Sequence, residues 1–153
     1  MVKFILGVKG SGKTKRMIEL ANESGRTAKG NVVYIDRDRN RIHDLSRNIR
    51  LIETGDFQLE NLKSFYGFIC GIISQDFDIE NIYIDGQKIV SNAQDDCLEG
   101  FIKNLEMLHE KFGVDFTISC SRAIEGIPEF LKSYLIWTNL ENNQIQIQEG
   151  DIA

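Results

Sequence analysis

Gly7-Val8-Lys9-Gly10-Ser11-Gly12-Lys13-Thr14, directly after the apolar run 2–6, is the stretch that decides the fold. It satisfies the phosphate-binding pattern G-x-x-x-x-G-K-[ST] at every fixed position, between a readable strand and a readable helix. Glycines at 7, 10 and 12 allow backbone conformations closed to residues with a Cβ, so successive N–H groups can converge on phosphate oxygens. Lys13 is then placed to reach the β- and γ-phosphates and the Thr14 hydroxyl to ligate Mg²⁺. The helix opening near Gly12 presents its positive end to the same phosphates. The expected nucleotide-binding residues are Gly7, Lys9, Gly10, Ser11, Gly12, Lys13 and Thr14, with ATP and Mg²⁺ as the ligands.

Composition sets the bounds around that loop. A chain of 153 residues, 42% hydrophobic and 27% charged, suits one soluble domain over residues 1–153. Eighteen basic against twenty-three acidic residues leave a net charge of −5, which repels a polyanion, so nucleic acid is not an expected partner. Cys70, Cys97 and Cys120 are odd in number, far apart and set in apolar stretches, which reads as reduced, buried thiols in a cytoplasmic protein. The amino terminus leads through a strand into the glycine loop and so is not a signal peptide. No run approaches membrane-spanning length.

Strand and helix signals alternate along the chain. Strands are expected at 2–6, 31–36, 81–85, 114–119 and 134–137, with a brief extended piece at Leu51-Ile52. A terminal antiparallel edge strand is expected around Ile145 and Ile147 after Asn142-Asn143. A first helix over 12–22 has Gly25 near its end. A second over 59–74 carries Leu62, Phe65, Tyr66, Ile69, Ile72 and Ile73 at helical spacing. Ser91 and Gln94 fit a capping box for a third, striped with Leu98, Phe101, Ile102, Leu105, Leu108 and Phe112 and stopped by Gly113. Pro128 is placed to open a short helix. Short apolar strands separated by amphipathic helices predict a three-layer α/β sandwich with a mostly parallel sheet of about five strands. Ligands of such sheets bind beyond the carboxyl ends of the strands, where the glycine loop, Asp36, Asp85 and Ser119 fall.

Ile82-Tyr83-Ile84-Asp85 has the form of an apolar strand ending in a metal-side aspartate, and Asp36 ends the strand at 31–36 in the same way. With the glycine loop upstream, Asp85 is the favoured carboxylate, so the expected metal residues are Thr14 and Asp85 and the expected catalytic pair is Lys13 and Asp85. These motifs in this order resemble the P-loop NTPases, specifically the RecA-like group whose loop-bearing and aspartate-bearing strands are separated by another strand. Members of that group usually have a glutamate beside the aspartate to polarise water; here the next residues are Gly86 and Gln87, which argues against rapid hydrolysis. Thr117-Ile118-Ser119-Cys120-Ser121-Arg122 is similar to the polar strand of these ATPases that senses the γ-phosphate, making Ser119, Ser121 and Arg122 sensor candidates. At finer grain, Phe65-Tyr66-Gly67-Phe68-Ile69-Cys70-Gly71 and Tyr83-Ile84-Asp85-Gly86 resemble small single-domain ATP-binding proteins of anaerobic Gram-positive bacteria, some labelled twitching-motility ATPases. That resemblance implies a bacterial cytoplasmic nucleotide binder without supplying a role.

The segment Asp36-Arg37-Asp38-Arg39-Asn40-Arg41, with Arg47 and Arg50, admits two readings. Asp36 and Asp38 resemble the paired carboxylates of shikimate-type small-molecule kinases, whereas the alternating charges suit a solvated, salt-bridged surface helix. Gly67 and Gly71 suit close packing of a neighbouring strand. His43 and His109 lack metal spacing. No guanine-reading N-K-x-D element is present, which favours ATP over GTP. The leading expectation is a slow Mg²⁺-dependent ATPase or ATP-dependent switch. The alternatives are a small-molecule kinase and a noncatalytic nucleotide-binding module that regulates a protein partner.

Overall fold

The computed structural model describes residues 1–140 and 143–146. Among the described residues seven strands form one sheet in the order β3-β2-β4-β5-β1-β6-β7. In chain order the strands are β1 (Val2–Gly7), β2 (Asn31–Asp36), β3 (Ile49–Glu53), β4 (Ile79–Ile84), β5 (Asp115–Ser121), β6 (Leu135–Leu140) and β7 (Asn143–Gln146). The first six are parallel, and β7 runs antiparallel to β6. Ile147, part of the expected edge strand, lies outside the described residues. The helices are α1 (Lys13–Thr27), α2 (Leu62–Gln75), α3 (Lys88–Ser91), α4 (Asp95–Phe112) and α5 (Glu129–Lys132).

Strand residues alternate between two cores, as a pleated sheet requires. Leu6, Ile35, Ile84 and Ile118 point to α2 and α4, meeting Phe65, Ile69, Leu98, Phe101 and Leu105. Ile5, Val32, Tyr34 and Tyr83 point to the opposite face, where Met17 and Ala21 of α1 cover them. The result is the expected three-layer α/β sandwich. Each large apolar side chain fully buried this way contributes roughly 1.5–3 kcal/mol. Asp95 and Asp96 in the first turn of α4, and His109 and Lys111 in the last, complement its dipole, and Gly113 ends it in the left-handed region at φ 72°.

Several expectations need correction. The parallel sheet has six strands, because Leu51-Ile52 belongs to a full strand, β3, paired with β2 from Val32 to Asp36. An edge strand has one neighbour and an exposed side, so Arg50 interrupts the apolar signal. Helix α1 runs through Gly25 to Thr27. Gly25 serves close approach: a Cβ there would lie 3.2 Å from Asn48 Oδ1, and Asn48 Nδ2 donates to the Gly25 carbonyl at 2.6 Å. Ser91 and Gln94 form no capping box, since α4 opens at Asp95 without a side-chain cap and Ser91 Oγ instead accepts the Ser121 N–H at 2.9 Å. The capping box sits at the start of α2, between Asn61 and Ser64. Gly67 and Gly71 face open space and accommodate no strand. Cys120 is buried, but Cys70 is only partly so and Cys97 is exposed.

Candidate functional site

Strand β5 lies between β1 and β4, so the glycine loop and Asp85 stand one strand apart on the same end of the sheet. Parallel register aligns those ends: Gly7 is level with Ser121, Ile84 with Ile118 and Ile35 with Ile84. A groove of about 1140 Å³ opens there between the loop, the end of β2 and α3.

The loop owes its shape to two glycines in the left-handed region, Gly10 at φ 82° and Gly12 at φ 95°, where a Cβ would be strained. Gly12 is also the residue from which α1 starts, so the first N–H groups of that helix face the groove. At Gly7 a Cβ would collide with the Ser11 side chain. Lys13 is 8% exposed, and its ammonium donates to the Val8 carbonyl at 3.0 Å, across the loop it follows. Burial lowers the Lys13 pKa, and the Asp85 carboxylate opposes that shift. A buried ammonium resting on one neutral carbonyl is poised for an anion that would compensate it better.

Asp85 is the hub on the other wall. Its Oδ2 accepts from Thr14 Oγ1 at 3.0 Å and from the Tyr34 hydroxyl at 2.9 Å, and its Oδ1 from Ser119 Oγ at 2.5 Å. Three hydroxyl donors fix both oxygens of a carboxylate that is 3% exposed. Burial and the Asp85 charge hold the Tyr34 hydroxyl far above the usual tyrosine range, so it remains a donor. Tyr34 escaped the sequence reading; the signal was the repeated Tyr-Ile-Asp of β2 and β4, whose tyrosines are register partners.

Asp36 faces the same groove from the neighbouring strand end. Its Oδ1 accepts the Arg37 N–H at 2.7 Å, and a Cβ on Gly86 would stand 2.7 Å from that oxygen. Gly86 itself sits at φ 67°, so two separate constraints demand glycine there. Burial first, and then the charges of Asp85 and Asp38, push the Asp36 carboxyl up to about 6, against the Arg37 hydrogen bond. Gln87 is buried, with its amide bonded to Thr54 Oγ1 and to the Asp85 carbonyl, both at 3.1 Å.

The sensor candidates divide. Ser119 touches Asp85, and Ser121 lines the groove, but Arg122 turns away. Its guanidinium bonds the Ser91 carbonyl and the Asp95 carboxylate, each at 3.0 Å, and the Ala93 carbonyl, so it clamps the connection between α3 and α4. The arginine-rich segment is not a surface helix. It holds one 3-10 turn, Ile42–Asp44, preceded by an Asx turn in which Asp38 Oδ1 accepts the Asn40 N–H. Arg37, Asp38 and Arg41 line the groove, and the ion pairs Arg39–Glu53 and Arg41–Asp44 are long and exposed.

Thr14 and Asp85 supply hard oxygen donors of the kind Mg²⁺ prefers, and a carboxylate already paired with a hydroxyl fits that ion. Among the described residues no cluster of three or more His, Cys, Asp or Glu side chains forms a metal cage. A cation here would rely on phosphate oxygens and water as well.

No protein-family model matches the sequence, and no curated protein matches it. Among solved structures, a KaiC-like protein from the hyperthermophilic archaeon Pyrococcus horikoshii OT3 is similar, with a TM-score of 0.62 at 16% identity. The match covers 93% of this chain and 73% of that one. The chain therefore shares the fold of that protein, a RecA-like three-layer sandwich. No helix among the described residues is long and apolar enough to cross a membrane.

Proposed function

We propose that this chain binds Mg·ATP in the groove between the glycine loop and Asp85 and acts as a slow ATPase or ATP-dependent switch. One observation carries the reading: Thr14 and Asp85, 71 positions apart, meet at 3.0 Å beside the buried Lys13 ammonium. Loop N–H groups and Lys13 would take the β- and γ-phosphates, exchanging the Val8 carbonyl for a charged partner. Thr14 and Asp85 would hold Mg²⁺, which when bound supplies charge neutralisation to the transferring phosphoryl group. Tyr34 and Ser119 orient Asp85, and Ser121 stands at the groove rim to respond to the γ-phosphate. With Gln87 tied down, Asp36 is the side chain suited to accept a proton from attacking water, because a carboxyl near 6 is a stronger base than an ordinary one. In this reading the protein is a bacterial cytoplasmic domain spanning residues 1–153, with nucleic acid outside its partners.

A second reading draws on Gln87. With no glutamate beside Asp85 and the neighbouring amide bonded inward, the site also suits a nucleotide-binding module that regulates a protein partner without turnover. Titration calorimetry with ATP, ADP and GTP, followed by phosphate release on the same sample, separates the two. The ATPase reading expects Mg²⁺-dependent release that falls by about a hundredfold or more in Lys13→Ala. Tight ATP binding without release selects the module, and no binding of any nucleotide defeats both.

A further inference from the structure

A second cavity, of about 760 Å³, lies on the α2–α4 face of the sheet, between the start of α2 and the first turns of α4. It is large enough for an organic molecule of nucleoside size. Partly buried Tyr66 of α2 lines it, and Phe101 of α4, 3% exposed, forms its floor, packed on Phe65 at 5.9 Å and 19° from parallel. Its charges cancel, Lys63 and Lys88 against Glu60 and Asp96, so it is not built for an anion. The remaining polar groups include the carboxamides of Asn92, Gln94 and Asn104, each offering donors and an acceptor. One accessible ring, Tyr66, with exposed carboxamides around it matches a flat, uncharged heterocycle, stacked on one face and hydrogen-bonded at its rim. Gly100, on the same wall, faces open space, since a Cβ there meets nothing within 4 Å.

Lys88 and Asn92 line both this cavity and the phosphate groove, so α3 is the partition between them. Arg122 grips the end of α3 and its connection to α4 at Ser91, Ala93 and Asp95, and the Ser121 N–H bonds Ser91 Oγ. Two residues back along the same strand, Ser119 bonds Asp85. The geometry points to a second ligand site for an uncharged, nucleoside-like heterocycle, coupled through α3, Arg122 and β5 to the groove that holds Asp85. It is distinct from the nucleotide site proposed above and does not need that site to turn over.

Cys97 provides the readout, being exposed and part of the cavity wall. Adenosine, inosine and uridine lack phosphates and serve as probes; Cys97 alkylation by iodoacetamide is followed by mass spectrometry, with Mg·ATP affinity titrated on the same sample. At least one nucleoside should slow Cys97 alkylation severalfold, both in the wild type and in Lys13→Ala. That protection should vanish in Gly100→Leu, whose new side chain fills the cavity while favouring the helix. The same nucleoside should shift Mg·ATP affinity by about fivefold in the wild type, and Mg·ATP should shift nucleoside affinity equally. Unchanged alkylation with all three probes, or protection that disappears in Lys13→Ala, would overturn the proposal. If Mg·ATP still binds in that event, only this site falls and the phosphate groove stands.

Discussion

Tyr34-Ile35-Asp36 and Tyr83-Ile84-Asp85 are near copies in sequence, on adjacent strands and in register, yet their aspartates live in different chemistry. Asp85 collects three hydroxyl hydrogen bonds and faces Thr14 of the loop. Asp36 collects one backbone N–H, leans on Gly86 and has its acidity weakened to about 6. The tyrosines diverge as well: Tyr34 donates to Asp85, whereas the Tyr83 hydroxyl bonds Ser24 and the Leu20 carbonyl of α1. A strand ending in aspartate is thus only a position, and the neighbouring strands' side chains decide whether its carboxylate is held by three hydroxyls or has its acidity weakened by burial.

Exchanging each aspartate for asparagine tests that contrast most strongly. Asp85→Asn should abolish Mg²⁺-dependent nucleotide turnover and weaken Mg·ATP binding. It should also destabilise the fold by about 1–3 kcal/mol in urea titrations, because three hydroxyls lose a charged acceptor. Asp36→Asn should lower phosphate release by about a hundredfold but stabilise the protein at neutral pH. The sign follows from linkage: a carboxyl raised from 3.8 to about 6 binds more protons folded than unfolded, so stability falls as pH rises between those values. That cost is fully present at pH 7, and asparagine, which mimics the neutral acid, should recover part of it. Equal effects of the two substitutions on stability would break the comparison.

Gly86→Ala should cost about 1–3 kcal/mol, combining a strained φ with a clash against Asp36, and should alter the pH dependence of phosphate release near 6. If the pH profile of Gly86→Ala matches the wild type, Asp36 is not the group titrating there. Tyr34→Phe carries a smaller expected effect, a loss of about 1 kcal/mol with the nucleotide site weakened but intact. Tyr83→Phe should leave Mg·ATP affinity unchanged, since its hydroxyl bonds to α1 and not to Asp85.

Legibility followed the range of the interactions. The loop was readable because its glycines, lysine and threonine are consecutive, and local backbone conformation is written in local residues. Helix α4 was readable from its apolar stripe and Gly113, although its start was not, because Ser91 spends its hydroxyl on Ser121 thirty residues away. Strand β3 and the continuation of α1 through Gly25 depended on contacts with β2 and Asn48 that no short window contains. Arg122 shows the same limit, since its place at the end of a polar strand suggested the nucleotide and its bonds lead to the α3–α4 connection.

The order of residues alone determined the glycine loop, the alternation of strands and helices, and the placement of Asp85 and Asp36 at strand ends, because each follows from near neighbours and periodicity. Tertiary structure decided which aspartate meets Thr14, which serine and tyrosine hold it, and that Asp36 becomes a weak acid. Those outcomes depend on strand order and burial, and both arise only when segments dozens of residues apart pack side by side.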